Sequence, residues 1–250
     1  MRKNISVCIA FYNGSRYIEE QVSSILDQLL VNDEIVIVDD GSKQAESMIL
    51  KRLNDTRIKI YNNSKNLGHV KTFEVALRKC QNEIIMLADQ DDIWLPGRRE
   101  ILLASLSNKN VKLVCSNFKI LDAQPLNTNE GRRKIIARSA SKPWSNIIGI
   151  LSGNRLYYGC TMAMKKDFLQ TALPFPKFVE SHDLWLALHA NCLGLIDHIS
   201  EPTVARRLHG ENLTPTKPRS LYLIVISRIL FFHQILISFF RKVKQYACKA

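Results

Sequence analysis

Glu34-Ile35-Val36-Ile37-Val38-Asp39-Asp40-Gly41-Ser42 reads as a buried strand running into a turn. Four consecutive β-branched residues suit a pleated strand, and the absence of polar alternation implies that both faces are covered, as in a parallel sheet. Asp-Asp-Gly-Ser then supplies turn chemistry. Working outward, Ile5–Ala10 is a similar run followed by Asn13-Gly14-Ser15 and an amphipathic stretch from about Arg16 to Leu30. Downstream, a helical pattern reaches about Leu53, Arg57–Tyr61 is a third strand, and Asn66-Leu67-Gly68 opens a helix through Lys79. Glu83–Ala88 is a fourth strand. This β-α-β-α alternation predicts an α/β fold, a mostly parallel central sheet flanked by helices, with the strand C-termini along one ligand-binding edge. Val111–Leu121 and Tyr157–Met164 read as further strands, Asp122 to Lys142 as a basic loop, and Asp183–Cys192 as a helix.

A chain of 250 residues, 46% hydrophobic and 23% charged, is long enough for one substantial core and too apolar for disorder. Its formal charge of +12 favours anionic partners: nucleic acid, nucleotides or acidic membrane headgroups. The six cysteines form no C-x-x-C pair, and several lie in apolar runs. They read as small buried hydrophobes in a reducing compartment. Met1-Arg2-Lys3-Asn4 has no signal-peptide character, so a cytoplasmic location is expected.

Residues 221–240 differ from the rest. They are almost wholly apolar and lie between Lys217 and Arg219 on one side and Arg241, Lys242 and Lys244 on the other. Length alone permits a membrane span, but Arg228, His233 and Gln234 fall in the middle, and an arginine there costs about 2.5–3.5 kcal/mol. Ser220, Ser227, Gln234 and Arg241 recur every seven residues as a narrow polar stripe. A wide apolar face with basic flanks points to a helix lying in the membrane interface, the alternative being a helix packed on the domain or on a partner chain. The expected division is a domain over 1–215 and a basic, apolar helical segment over 216–250.

Three acidic clusters are candidates for chemistry: Asp39-Asp40, Asp89-Gln90-Asp91-Asp92 and Asp183. Asp before Gly-Ser is a good turn residue, and for the first pair alone turn chemistry is the better explanation. In the second, three carboxylates in four residues repel one another at the end of Ile84-Ile85-Met86-Leu87-Ala88. Residues i and i+2 at a strand end share a side, so Asp89 and Asp91 are expected to converge. A hard cation, Mg²⁺ or Mn²⁺, relieves that repulsion and leaves open positions for a diphosphate. The glycine fingerprint of a dinucleotide fold and the Walker lysine motif are both missing.

Six ordered motifs together resemble the inverting glycosyltransferases of family 2. They are Ser6–Gly14, Ile37–Ser42, Asn66-Leu67-Gly68, Asp89-Gln90-Asp91-Asp92-Ile93-Trp94-Leu95-Pro96, His182-Asp183-Leu184-Trp185 and Arg207-Leu208-His209-Gly210-Glu211-Asn212. The Asp-Gln-Asp-Asp-x-Trp form is similar to bacterial enzymes of O-antigen and capsule synthesis, among them rhamnosyl-, galactosyl- and glucosyltransferases. The resemblance implies a GT-A fold and a nucleoside diphosphate sugar donor such as UDP-Gal, UDP-Glc or dTDP-rhamnose. It also implies a lipid-diphosphate-linked glycan acceptor and work at the inner face of the cell membrane. By resemblance, Phe11 and Tyr12 would wall the nucleotide pocket, Asp39 with Asp40 would contact base and ribose, and Asn66 would border the donor. Asp91 would meet Mn²⁺ or Mg²⁺, Asp89 would face the donor's ribose, the metal or a metal-bound water, Asp92 would face the donor sugar or acceptor, and Asp183 would be the catalytic base. Many relatives carry a Glu where His182 stands, which keeps Glu180 open as an alternative base. His209 would be a further metal contact or a surface histidine. Two competing classes make different demands. A nucleotidyltransferase calls for a glycine-rich, lysine-bearing signature near the first strand. A nucleic-acid-binding protein calls for aromatics interleaved with Lys and Arg; here they gather in the C-terminal run and near the acidic motifs, so no nucleic-acid partner is expected.

Overall fold

The computed structural model describes residues 3–121, 135, 137–155, 157–207 and 221–247. Strands β1 (Ile5–Phe11), β2 (Glu34–Asp39), β3 (Ile58–Asn62) and β4 (Ile84–Ala88) are parallel, and Ile9 aligns with both Ile37 and Ala88. Between them lie helices α1 (Ile18–Leu26), α2 (Gln44–Ser47) and α3 (His69–Lys79). After β4 come β5 (Ile93–Trp94), α4 (Arg98–Leu106), β6 (Leu113–Leu121), α5 (Pro143–Ser152), β7 (Met162–Lys165) and α6 (Leu169–Ala172). Helix α7 (His182–Leu193), β8 (Ile196–Arg207) and α8 (Leu221–Ala247) complete the order. The eight strands form one sheet, β3-β2-β1-β4-β7-β6-β8-β5, in which β7 and β5 run antiparallel to their neighbours. The sheet is therefore mostly parallel, as the apolar strands predict.

Side chains alternate between two cores. Ile5, Val7, Ile9 and Phe11 of β1, with Ile84, Met86 and Ala88 of β4, pack in the layer that contains α1 and α4 residues. Cys8, Ile85 and Leu87 face the opposite layer with α3, α7 and part of α8. This is the period of two that a strand imposes. Cys8, Cys80, Cys115, Cys160 and Cys192 are buried and free, as expected of small hydrophobes.

Several elements differ from the sequence reading. The stretch expected to be helical to Leu53 contains only one α-turn before a 3-10 turn over Met48–Arg52. Of Tyr157–Met164, only the end is strand, because a 3-10 turn occupies Gly159–Thr161. Strand β8 has no apolar run to mark it: Asp197, His198, Ser200, Glu201 and Pro202 interrupt the pattern. It forms because those polar groups find partners. His198 meets Ser139 and Tyr157, and Thr203 meets Ser116 and Arg98. The polar stripe of α8 also turns out to face inward, with its members Ser227 and Gln234, and Ser238 beside them, buried against the domain.

A buried ion pair joins three distant segments. Asp33 accepts the Ile5 amide at 2.7 Å, the Leu30 amide at 2.8 Å and Arg99 Nε at 3.1 Å, while Arg99 Nη2 donates to the Lys3 carbonyl. The start of β1, the α1–β2 loop and α4 are thereby tied together. Asp33→Ala strands two amides and leaves Arg99 the Lys3 carbonyl and, as an ion pair, the exposed Glu100. We expect a loss of about 3–5 kcal/mol in urea unfolding.

Candidate active site

The C-terminal ends of β1, β2 and β4 form one rim, sewn together by side chains of the turns that follow. Gln90 Oε1 accepts the Tyr12 amide at 2.9 Å while its Nε2 donates to the Tyr12 carbonyl. Asp39 accepts from the Ser42 amide and the Ser47 hydroxyl. Asp40 Oδ1 accepts from Asn63 Nδ2 and the Leu67 amide, and Oδ2 accepts from the Gly68 amide. Both carboxylates therefore hold turns, consistent with the turn chemistry of Asp-Asp-Gly-Ser. Gly41 has φ +73°, and a Cβ there would lie 3.0 Å from the Asn66 nitrogen, so glycine is required. Asn66 is exposed, and its Oδ1 accepts the Gly68 amide. One expectation needs correction. Phe11 is fully buried in the core and walls no pocket, because the strand's alternation turns it inward; Tyr12, half exposed, is the aromatic at the rim.

The acidic segment departs from an extended strand end. The chain turns over Gln90 and Asp91, which brings residues i and i+3 together in place of i and i+2. Ligand atoms of Asp89, Asp92 and Cys160 lie within 4.8 Å of one another, a group that does not include Asp91. Pairing of β5 with β8, Ile93 opposite Ala205, fixes this turn against Arg206 and Arg207. The Arg207 amide donates to Asp92 Oδ1 at 3.0 Å, and Arg207 Nε donates to the Asp91 carbonyl at 3.2 Å. Desolvation and then repulsion from Asp92 and Asp91 push the Asp89 carboxyl well up. Asp92 is pushed up to about 6 by burial and by Asp91, against the pull of Arg206 and of a hydrogen bond from Cys160. Burial, with Asp92 and Asp89 close by, keeps the Cys160 thiol protonated. The Arg206 guanidinium carbon stands over the Tyr158 ring at 4.0 Å from its centroid, with the Phe118 ring at 5.1 Å. Burial disfavours its charge, but Cys160, Asp92, Tyr158 and Asp89 outweigh burial and raise its pKa. Beneath the cluster, fully buried Arg98 donates to the Cys160 carbonyl at 2.7 Å and to Thr203 Oγ1 at 2.5 Å.

Asp183 opens α7. Ser181 caps that helix through the Leu184 amide, and Asp183 Oδ1 accepts from the same amide at 2.7 Å and from the Ser181 hydroxyl. Its Oδ2 accepts the Gly159 amide at 3.2 Å. Desolvation pushes Asp183 up to about 6, against the Leu184 and Gly159 amides and the field of Arg206. Its charge in turn contributes to the upward shift of Asp89. Asp183 thus belongs to the Asp89–Asp92–Arg206 group, while Asp39 ends a strand about 10 Å from β4, two strand spacings along the same rim. His182 is buried, stacks on Phe73 at a centroid distance of 4.0 Å, and is lowered to about 3 by burial. Glu180 lies in the loop ahead of the cap. His209 lies outside the described residues.

Arg206, Cys160, Gln90 and Gly159 are the site residues that sequence reading missed. Arg206 stands next to the Arg207-Leu208-His209 motif and had a signal; Gly159 had none. A Cβ on Gly159 would fall 2.7 Å from His182 Nε2 and 3.7 Å from the Asp183 Cβ. Gly159→Ala should displace the amide that holds Asp183. We expect a melting-temperature loss equivalent to about 1–3 kcal/mol, with nucleotide binding kept and turnover reduced at least about tenfold.

Comparison with known proteins gives the same picture. The model of "Glycosyl transferase family 2" matches residues 6–171. The UDP-Glc:alpha-D-GlcNAc-diphosphoundecaprenol beta-1,3-glucosyltransferase WfgD of Escherichia coli is 25% identical over 190 residues, covering 74% of this chain and 69% of WfgD. The O-antigen biosynthesis glycosyltransferase WbnJ of Escherichia coli is 27% identical over 218 residues, covering 83% of this chain and 81% of WbnJ. Among solved structures, the mannosyltransferase PcManGT from Pyrobaculum calidifontis, in complex with GDP-Man and Mn²⁺, superposes with a TM-score of 0.66 at 21% identity. That match covers 96% of this chain and 65% of PcManGT, so the chain spans just under two thirds of that protein. The fold is that of the GT-A glycosyltransferases, and the chain belongs to glycosyl transferase family 2.

Proposed function

We propose that this chain is an inverting, metal-dependent glycosyltransferase of bacterial surface polysaccharide synthesis. It moves a hexosyl or deoxyhexosyl residue from a nucleoside diphosphate sugar, UDP-Gal, UDP-Glc or dTDP-rhamnose, to a lipid-diphosphate-linked glycan at the inner membrane face. One observation carries the reading: Asp89 and Asp92 share a tight turn beside Arg206, and the charge of a third carboxyl, Asp183, acts on Asp89. The nucleotide sugars of WfgD and PcManGT, UDP-Glc and GDP-Man, support the substrate class.

The residues fit a hard cation. Asp92 Oδ2 is buried with no hydrogen-bond partner among the described residues, and Asp89 beside it is held at a raised pKa by burial and like charge, so both carboxylates gain from a cation. The neutral Cys160 thiol serves as a donor to Asp92 and leaves the oxygen ligands to a hard metal. Asp89 and Asp92, with Asp91 at the turn, would hold Mn²⁺ or Mg²⁺, which when bound supplies positive charge for the departing diphosphate. Arg206 adds a fixed guanidinium on the same side. Tyr12 borders the nucleoside end, with Asp39, Asp40 and Asn66 shaping the loops there. In the reaction the acceptor oxygen bonds to the anomeric carbon as the bond to the diphosphate oxygen breaks, and the acceptor proton passes to Asp183. A carboxylate near 6 is ionised at neutral pH and basic enough to receive that proton.

Three outcomes test this. UDP or dTDP should bind in the presence of Mn²⁺ and weaken at least about tenfold without it or in Asp92→Ala, measured by calorimetry. Asp183→Ala should keep nucleotide binding and lose about 10²-fold or more of transfer to a synthetic lipid-diphosphate sugar. Because Asp183 acts when ionised and its pKa is raised to about 6, the transfer rate should climb as the pH rises through about 6. DNA binding that needs no metal, together with no nucleotide affinity, would overturn the proposal.

A further inference from the structure

Helix α8 is amphipathic in an inverted sense. Its polar stripe is its docking face: Ser227, Gln234 and Ser238 are buried, and Ser238 meets His189 of α7 at 2.9 Å. Arg241 Nη1 and Nη2 donate to the carbonyls of Thr171, Ala172 and Pro174 at 2.7–3.0 Å, and the guanidinium stands 5.4 Å from the Trp185 ring. The outward face is apolar. Val225, Ile229, Phe232, Leu236, Phe240 and Val243 follow a three-and-four spacing, and each is more than half exposed. The face continues onto α5, where Trp144 stacks near Phe239 at 6.2 Å and Trp144 and Ile148 are 62% and 63% exposed. A continuous apolar face of this kind is an interaction surface.

Charge selects its occupant. Residues 131–166 and 212–250, which contain α5 and α8, include no Asp or Glu. Exposed Arg138 and Lys142 precede Trp144, Lys242 lines the cleft of about 260 Å³ between α5 and α8, and Lys244 is exposed near the far end of α8. A second copy would bring like charges edge to edge. A bilayer with anionic headgroups matches both the apolar centre and the cationic rim. A spanning helix does not match, because α8 is held along its flank from Ser227 to Arg241 and cannot leave the domain. We propose that the α5–α8 face docks the protein flat on an anionic membrane, with Trp144 and the outward residues of α8 in the headgroup–acyl boundary. On the reading of Asp183 as base, this deepens the proposed function. Asp183 opens α7, the helix whose Trp185 is covered by Arg241, so the base and the docked face belong to adjoining helices. A diphosphate-linked acceptor then reaches it from the headgroup layer.

The test is flotation of the full chain with vesicles of phosphatidylglycerol and phosphatidylcholine, or phosphatidylcholine alone, beside the variant Ile229→Glu/Phe232→Glu/Leu236→Glu. Wild type should bind the anionic vesicles at least tenfold more tightly than the neutral ones. The variant should lose at least tenfold while melting at the wild-type temperature and keeping Mn²⁺-dependent UDP or dTDP binding. Trp94 and Trp185 are buried, so quenching by lipids brominated on the acyl chain should report Trp144 and vanish in Trp144→Ser. Should the triple variant misfold, that single variant and its quenching decide the matter. A folded wild type that ignores anionic vesicles, or a folded triple variant that binds them equally well, overturns docking. So does a dimer that the triple variant splits without any change in vesicle binding. A chain that floats yet binds no nucleotide overturns the proposed function and leaves docking intact.

Discussion

The confinement of Asp89 and Asp92 in one tight turn is the constraint around which the rest of the molecule is arranged. Left alone, two carboxylates this close and this desolvated would spring apart or take up protons, and the raised pKa of each records that tension. Three devices hold them. The β5–β8 pairing clamps the turn, the Arg207 amide and the Cys160 thiol donate to Asp92, and Arg206 sets a cation beside the pair. Arg98, buried below, fastens the backbone of Cys160 to β8 through Thr203.

The same logic applies at Asp183. Asp183 lies at the start of a helix whose first amides favour negative charge, yet its burial is strong enough to raise its pKa to about 6. Two carboxyl environments thus sit side by side. One is crowded with like charge and suited to a cation, the other is stabilised by amides and suited to proton transfer. Gly159 and Cys160 are neighbours in the chain and serve one environment each. A shift of that short segment would disturb both.

Helix α7 links this site to the far side of the molecule. Its N-terminus carries Asp183, and its flank is covered by α8 through Trp185, His189 and the Arg241 contacts. An outer helix bound by its polar stripe leaves its apolar side outward, so the arrangement that stabilises the domain also creates an exposed greasy face. The packing and the surface are consequences of one pattern of seven.

Local pattern by itself determined the first four strands and the Asp-Asp-Gly-Ser turn, and it singled out the acidic clusters. Runs such as Ile35–Val38 and Ile84–Ala88 have one reasonable conformation, and Asp-Asp-Gly-Ser one reasonable turn. Clustered carboxylates in a basic chain call for a cation and a phosphate. Only the tertiary structure decided which oxygens meet. The turn over Gln90 and Asp91 brought Asp92 to Asp89 where Asp91 was expected, and core alternation buried Phe11. Strand β8, too polar to be read as a strand, brought Arg206 in. The direction of α8 was likewise undecided, since a polar stripe fits water or a partner's carbonyls equally well. Each of these outcomes depends on hydrogen-bond partners and like charges that lie tens of residues away in the chain, a distance over which periodicity has nothing to say.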